Sequence, residues 1–122
     1  MKNFLAIYTG TDEAMARSGW NTLSEAERQE RTQAGMKAWH AWMDANKARV
    51  DVSGGPIGKT RRVSKAGVEA IRNNIAGYVV VSAESHEEAA SLFEGHPHFS
   101  IFPGDAVEVM ECLPVPGASS PA

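Results

Sequence analysis

The sequence predicts a single domain of the α+β class, in which two helices pack on one face of an antiparallel sheet. Two observations support this prediction: two segments begin with a helix-capping signal, and the segments around them are short, apolar and often β-branched. The 122 residues are 43% hydrophobic and 22% charged, which is typical of one globular domain. We expect the domain to span residues 1–114 and the tail, 115–122, rich in Pro, Gly and Ser, to be disordered.

The N-terminal half is predicted to contain a central strand and a long helix. Residues 3–8, NFLAIY, are apolar on both faces, as expected of a strand covered above and below. Residues 9–21 are interpreted as a loop, and residues 22–46 as the helix. Ser24 lies three residues before Glu27, the spacing of a capping box, so this pair predicts the helix start. An apolar stripe at helical spacing, formed by Met36, Trp39 and Met43, follows in the second half.

The middle of the chain is predicted to hold a strand, a glycine-rich connection and a more polar strand, over residues 48–63. Four cations cluster at its end, and they favour a solvated edge strand over an anion site: Lys59, Arg61, Arg62 and Lys65. Residues 64–76 have two interpretations. They form either a short helix at 66–72 or an irregular strand with a turn at Asn73-Asn74.

The C-terminal half repeats the pattern of strand, capped helix and strand. Residues 77–85 are a β-branched strand, Ser85 and Glu88 predict the start of a second helix over 86–94, and residues 105–113 alternate as a final strand. The resulting order is β-α-β-β-(irregular)-β-α-β, the split β-α-β or ferredoxin-like arrangement. Because both helices lie on one side, the other face of the sheet is left bare and apolar. We expect a homodimer that buries this face.

Composition argues against several classes of protein. A net charge of −3 disfavours a nucleic-acid binder, and no apolar stretch approaches the roughly 18 residues of a membrane helix. The N-terminal apolar run is too short for a signal peptide. The single cysteine, Cys112, excludes an internal disulfide, fits the cytosol, and is expected to be a buried, inert thiol.

Several segments together resemble the YCII-related (DGPF-domain) family: MKNFLAIY, the tryptophan-bearing helix, SGGPIGKT, GYVVVSAESHEEAASLF, a proline turn and VEVMECLP. The resemblance covers roughly residues 1–114. It implies a ferredoxin-like fold, a dimeric α/β-barrel assembly and, as in the members discussed as enzymes, a histidine–aspartate pair in a cleft near the dimer interface. The chain resembles a divergent branch, since IRNNIAGY stands where the family has its acidic-Gly-Pro-Phe segment.

His96 and His98 flank Pro97 after the predicted second helix. In an extended segment, side chains two residues apart point to the same side, and proline restricts the residue before it. Three interpretations stay open for this pair: acid–base or ligand contact, a structural turn, or a metal site. A metal site would need a third and a fourth ligand, which the spacing does not supply, so we expect no metal and no cofactor.

His40 and Asp44 are a second candidate pair, because four residues separate them on one helix face. A carboxylate there could raise the pKa of the imidazole, as a general base requires. An ordinary surface pair is the alternative. Four further residues are candidate ligand contacts: Trp39, Lys59, Asn74 and Tyr78. The leading hypothesis is a small-molecule binder, with cofactor-free acid–base catalysis if it is an enzyme. The alternative hypothesis is a non-catalytic binding or regulatory module.

Overall fold

The structure is a computed structural model, and it describes residues 1–117. From residue 118 onward, the tail predicted to be disordered lies outside the described residues. The elements follow in chain order: β1 (Lys2–Thr9), α1 (Asp12–Ser18), α2 (Glu25–Ala45), β2 (Val50–Pro56), β3 (Thr60–Ser64), β4 (Gly67–Ile71), β5 (Ile75–Ala83), α3 (His86–Ser91), α4 (Pro97–Ser100) and β6 (Ala106–Glu111).

The main sheet has four antiparallel strands in the order β2-β5-β1-β6. β1 is central, as predicted: Ala6 pairs with Val79 on one side and with Val109 on the other. β3 and β4 form a separate two-stranded ribbon. The α+β class with an antiparallel sheet is therefore confirmed.

The core lies on one face of this sheet. Alternate residues of β1 and β5 are buried there against residues of α2, α3 and the turn after α3, and the buried cluster consists of Phe4, Ala6, Tyr8, Val79, Val81, Ala83, Ala89 and Phe93. The opposite face keeps exposed apolar side chains, among them Val52, Tyr78 and Met110. The two faces thus differ as the strand alternation predicts.

Helix α1 was not predicted. The interpretation of residues 9–21 as a loop is therefore wrong over Asp12–Ser18. The Thr11 side chain caps the helix by accepting a hydrogen bond from the Ala14 backbone N–H. Two acidic residues follow in the first turn, and Gly19 ends the helix in the left-handed conformation, with φ of 74°. The capping residues are present in the sequence, but they were not read as a helix start because the helix is only seven residues long.

The ambiguous segment at 64–76 is a strand rather than a helix. β4 pairs with β3 as a hairpin, with Val63 opposite Val68, so the strand interpretation was correct. The expected glycine-rich connection is shorter than predicted, since β2 continues to Pro56 with two register shifts against β5. The basic cluster lies on or beside the exposed ribbon, where Arg62 forms an ion pair with Glu69.

Two predictions near the C-terminus need correction. The second helix is shorter than 86–94, because α3 ends at Ser91 and a turn leads to Gly95, with φ of 69°. Cys112 is exposed rather than buried, since it lies just beyond the end of β6. Among residues 1–117, no helix combines the length and the apolar character needed to cross a bilayer.

Candidate active site

The short helix α4 positions the two histidines of the HPH motif. His96 is its N-cap, and the ring Nδ1 accepts a hydrogen bond from the backbone N–H of His98 at 3.0 Å. Pro97 occupies the first turn, where its fixed φ suits a helix and its missing N–H costs nothing. His96 itself is extended, with φ of −57° and ψ of 140°, as the following proline predicts, but the extended geometry expected at His98 is wrong, because His98 lies in the helix that the cap and the proline start.

His96 is enclosed by aromatic rings and is only 1% exposed. The ring centroids of Trp39 and Trp42 lie 4.6 Å and 4.9 Å from its own. Since Nδ1 accepts a hydrogen bond, the neutral ring carries its hydrogen on Nε2, which lies 3.5 Å from the Tyr8 hydroxyl oxygen. Burial, with a smaller contribution from the charge of His98, lowers the pKa of His96 to about 4.

His98 is held by the end of β1. Its Nε2 donates a hydrogen bond to the Thr9 carbonyl oxygen at 2.7 Å, and the same oxygen accepts the Asp105 backbone N–H at 2.9 Å. Burial lowers the pKa of His98, while the Thr9 hydrogen bond and the charge of Asp105 partly offset that effect. At neutral pH the ring is therefore mostly uncharged, with its hydrogen on Nε2 and a lone pair on Nδ1.

The His98 Nδ1 has no hydrogen-bond partner within residues 1–117. Every fully buried side-chain nitrogen or oxygen in that part of the chain does have a partner. Nδ1 is therefore not fully buried, and the open space beside His98 is a cavity that this residue lines. The arrangement leaves one basic nitrogen of His98 without a hydrogen-bond partner among the described residues.

This cavity has a volume of about 320 Å³ and lies between α2, the paired ends of β2 and β5, and the segment that follows α4. Its walls are mainly aromatic rings and methionine side chains, contributed by Tyr8, Met36, Trp39, Met43 and Phe102, and Tyr78 lines it where β2 pairs with β5. Few polar side chains line it, and Ser53 is one of them, with His98. An apolar enclosure with a few polar groups is typical of sites that bind small organic molecules.

Two glycines set the positions of cavity residues. A Cβ atom on Gly35 would lie 2.5 Å from the ring of Phe102, so only glycine lets this ring pack against α2. A Cβ atom on Gly104 would lie 2.4 Å from both Cε1 and Nε2 of His98. The close approach of Gly104 therefore supports the His98 ring from the side that bonds Thr9.

The structure brings three of the predicted site residues to the cavity: Trp39, Tyr78 and His98. His96 lies directly behind it, in contact with Trp39 and Tyr8. His40 and Asp44 are on the exposed surface of α2. Lys59 and Asn74 line two other depressions of the surface. In the described part of the chain, no three His, Cys, Asp or Glu side chains converge as a metal site would require.

Tyr8 and Phe102 were not predicted as site residues. Tyr8 could have been found, because it lies near the end of the central strand, on the face that also carries Phe4 and Ala6. It packs against both histidines, with ring centroids 5.2 Å from each. Phe102 gave no such signal, since its place depends on Gly35, which lies far away in the sequence.

No family model matches the chain, and no curated protein matches it either. Among solved structures, the chain is similar to 5-chloro-2-hydroxyhydroquinone dehydrochlorinase (TftG) from Burkholderia phenoliruptrix AC1100, in complex with 2,5-dihydroxybenzoquinone. The TM-score is 0.52, with 20% sequence identity over 88% of this chain and 89% of that chain. The likeness shows the fold.

Proposed function

We propose that the protein binds a small planar aromatic compound in the cavity and catalyses cofactor-free proton transfer on it, as an isomerisation or an elimination. The observation that carries this proposal is the state of His98. One nitrogen of its ring is bonded to Thr9, while the other is left without a partner beside an apolar cavity. A general base needs this combination of fixed orientation and a free lone pair.

The cavity walls favour a flat, mostly apolar ligand. The rings of Trp39 and Tyr8 meet at a centroid distance of 4.9 Å. Among the described residues that line the cavity there is no lysine, arginine, aspartate or glutamate. Its volume is at the lower end of the range for small-ligand sites, which is about 300–1,000 Å³. The compound bound to TftG, 2,5-dihydroxybenzoquinone, is a monocyclic ring, and we propose a ligand of similar size here.

Both reactions can proceed with His98 alone as the base. His98 Nδ1 takes a proton from a ligand C–H or O–H bond, and the electron pair of that bond stays on the ligand. In an isomerisation, the imidazolium returns the proton at another atom. In an elimination, the electron pair forms a new double bond, and the leaving group departs with its own bonding pair. Neither reaction consumes an oxidant or a reductant, so neither needs a redox cofactor.

We further propose that the chain is a divergent YCII-related protein of the cytosol and that it works as a homodimer. The exposed apolar side chains on the open face of the sheet favour the dimer. Sedimentation should give twice the 13.1 kDa chain mass. Met110→Glu, which introduces a charge on that face, should give a folded monomer, whereas Val115→Glu in the exposed segment after β6 should stay dimeric. A wild-type monomer at micromolar concentration would contradict the dimer.

The catalytic proposal can be tested with 2,5-dihydroxybenzoquinone as the probe. Calorimetry should show saturable binding to the wild type. NMR in D₂O should show that the protein accelerates the exchange of the ring-carbon hydrogens for deuterium. His98→Gln keeps an amide N–H that can bond Thr9 but removes the basic nitrogen, so it should abolish the acceleration. The matched control, His40→Gln, changes an exposed histidine and should behave like the wild type.

Three outcomes separate the hypotheses. Binding with accelerated exchange that depends on His98 supports the enzyme. Binding without any accelerated exchange favours the non-catalytic ligand-binding module. No saturable binding of this probe or of simple phenols would overturn the proposed function.

A further inference from the structure

We propose that the Tyr8 hydroxyl is the hydrogen-bond donor that holds an oxygen atom of the ligand, and that His96 is the positioning residue that directs this donation. The inference rests on the proposed small-molecule function and deepens it. It narrows the ligand class to planar rings that carry a phenolic, enolic or carbonyl oxygen.

The first step concerns the hydrogen bonds of His96. Its Nδ1 is occupied, because it accepts the backbone N–H of His98 at 3.0 Å and caps α4. The neutral ring has one hydrogen, and that hydrogen must then be on Nε2. The Tyr8 oxygen is the polar atom of the described residues within reach of Nε2, at 3.5 Å. His96 can therefore act only as a donor toward Tyr8. Long bonds of this kind often shorten when a ligand closes the site.

The second step concerns the proton of Tyr8. Because the Tyr8 oxygen accepts from His96, the hydroxyl hydrogen must point elsewhere. No second nitrogen or oxygen within residues 1–117 bonds this hydroxyl, although Tyr8 is only 3% exposed. A donor without a partner in apolar surroundings is unfavourable, so the hydroxyl gains a hydrogen bond when an acceptor enters the cavity that Tyr8 lines.

The third step concerns charge and reach. Burial raises the pKa of Tyr8, so its hydroxyl keeps the proton and stays a donor. The ring centroids of Tyr8 and His98 are 5.2 Å apart, and both residues line the same cavity. A monocyclic ligand held through its oxygen at Tyr8 can therefore also meet the free nitrogen of His98. A donor at that oxygen would stabilise the negative charge that develops when His98 removes a proton.

The experiment compares two probes that differ by one hydroxyl group, 4-nitrophenol and nitrobenzene. The wild type should bind 4-nitrophenol more tightly. Tyr8→Phe removes only the hydroxyl, so it should weaken 4-nitrophenol binding about tenfold, the usual effect of a hydrogen bond to a charged group. The affinity for nitrobenzene should stay within about twofold. Visible absorbance gives a second readout, because the bound phenol should ionise at a higher pH in Tyr8→Phe than in the wild type.

His96→Asn tests the positioning role. Asparagine is a favoured N-cap and can still accept the His98 N–H, but its shorter side chain cannot reach Tyr8. The ratio of the affinity for 4-nitrophenol to the affinity for nitrobenzene should fall toward the value of Tyr8→Phe. The double variant, with both Tyr8→Phe and His96→Asn, should show no further fall in this ratio. A purely structural role of His96 would change both affinities together and leave their ratio unchanged.

The outcomes distinguish this inference from the function on which it rests. If the wild type binds neither probe, the proposed function is contradicted and this inference with it. If the wild type binds both and Tyr8→Phe keeps the wild-type ratio, only the role of Tyr8 is overturned. If His96→Asn does not fold, the Tyr8→Phe result alone decides whether the Tyr8 hydroxyl holds the ligand oxygen.

Discussion

His40 and Asp44 differ from His96 and His98 in what surrounds them, although each pair follows a simple spacing in the sequence. The first pair lies on the exposed surface of α2, where water and salt screen its charges. The second pair is buried, and each ring has a defined hydrogen bond to the backbone. Spacing alone therefore does not distinguish a surface pair from a site. Burial and hydrogen-bond partners distinguish the two pairs here, because burial lowers the pKa of His96 and of His98 and a backbone hydrogen bond sets the tautomer of each ring.

The largest expected effect of this difference is a loss of stability in acid. The pKa of His96 is about 4 in the folded chain and 6.5 in its ordinary state, so the unfolded chain binds a proton that the folded chain excludes. Stability from the neutral ring is fully present above pH 6.5 and is lost as the pH falls toward 4, by about 3 kcal/mol in all. The pKa of His98 is also lowered by burial, so this residue adds to the loss of stability in acid.

Urea unfolding at pH 7 and at pH 4.5 measures this effect. His96→Asn should lose less free energy of unfolding between the two pH values than the wild type does. Titrating carboxylates act alike in both proteins and cancel in the comparison. His40→Asn is the control, and it should keep the full acid-induced loss. Equal losses in the wild type and in His96→Asn would contradict the account of His96.

A second expected effect comes from the glycine that supports His98. Gly104→Ala places a methyl group 2.4 Å from the His98 ring, and overpacking of this kind costs about 1–3 kcal/mol. It should also weaken the binding of 2,5-dihydroxybenzoquinone, because the ring must move. Gly58→Ala is the matched control, since its Cβ would meet nothing within 4 Å. Thermal unfolding of both variants measures the difference, and equal melting temperatures would rule out the close packing.

The exposed pair should show a much smaller effect. His40→Ala and Asp44→Ala change side chains on the solvent side of α2, so each should alter the free energy of unfolding by less than about 0.5 kcal/mol. Neither variant should affect ligand binding. A loss of activity in either would return this pair to the candidate site, and chemical denaturation together with the exchange assay would reveal it.

The smallest expected effect is that of metal removal. The sequence supplies no third ligand at suitable spacing for the two HPH histidines. One ring nitrogen of each, Nδ1 of His96 and Nε2 of His98, is already hydrogen-bonded to the backbone. Dialysis against a chelator should leave both the melting temperature and probe binding unchanged. Elemental analysis that finds one zinc, iron or manganese per chain, lost in His96→Asn, would contradict this prediction.

Local signals predicted much of the fold. The capping box at Ser24 and Glu27, the apolar run of β1 and the β-branched run of β5 are properties of neighbouring residues, and the structure confirms the helix and both strands. Helix α1 was missed because its signals cover a single short stretch. The sequence did not predict that β3 and β4 form a ribbon separate from the main sheet. The pattern of residues within a strand does not specify which other strand it pairs with.

The site was less predictable, because its contacts join distant parts of the chain. The bond between His98 and Thr9 spans 89 residues, and the contact between His96 and Tyr8 spans 88. No spacing rule reports such contacts. The HPH motif did point to the segment as a candidate, since it holds two of the four histidines of the chain. Its chemistry became visible only when β1 and α2 were placed against it.

The central claim is that the free nitrogen of His98 meets the ligand, and nitrogen-15 spectra of the four histidine rings test it most directly. The measurement records the ring nitrogens of His40, His86, His96 and His98 as 2,5-dihydroxybenzoquinone is added, with His98→Gln to assign the signals. We predict that the Nδ1 signal of His98 moves most, whereas the signals of His40 and His86, both exposed, stay in place. A saturable shift at His40 or His86 with His98 unchanged would contradict the account.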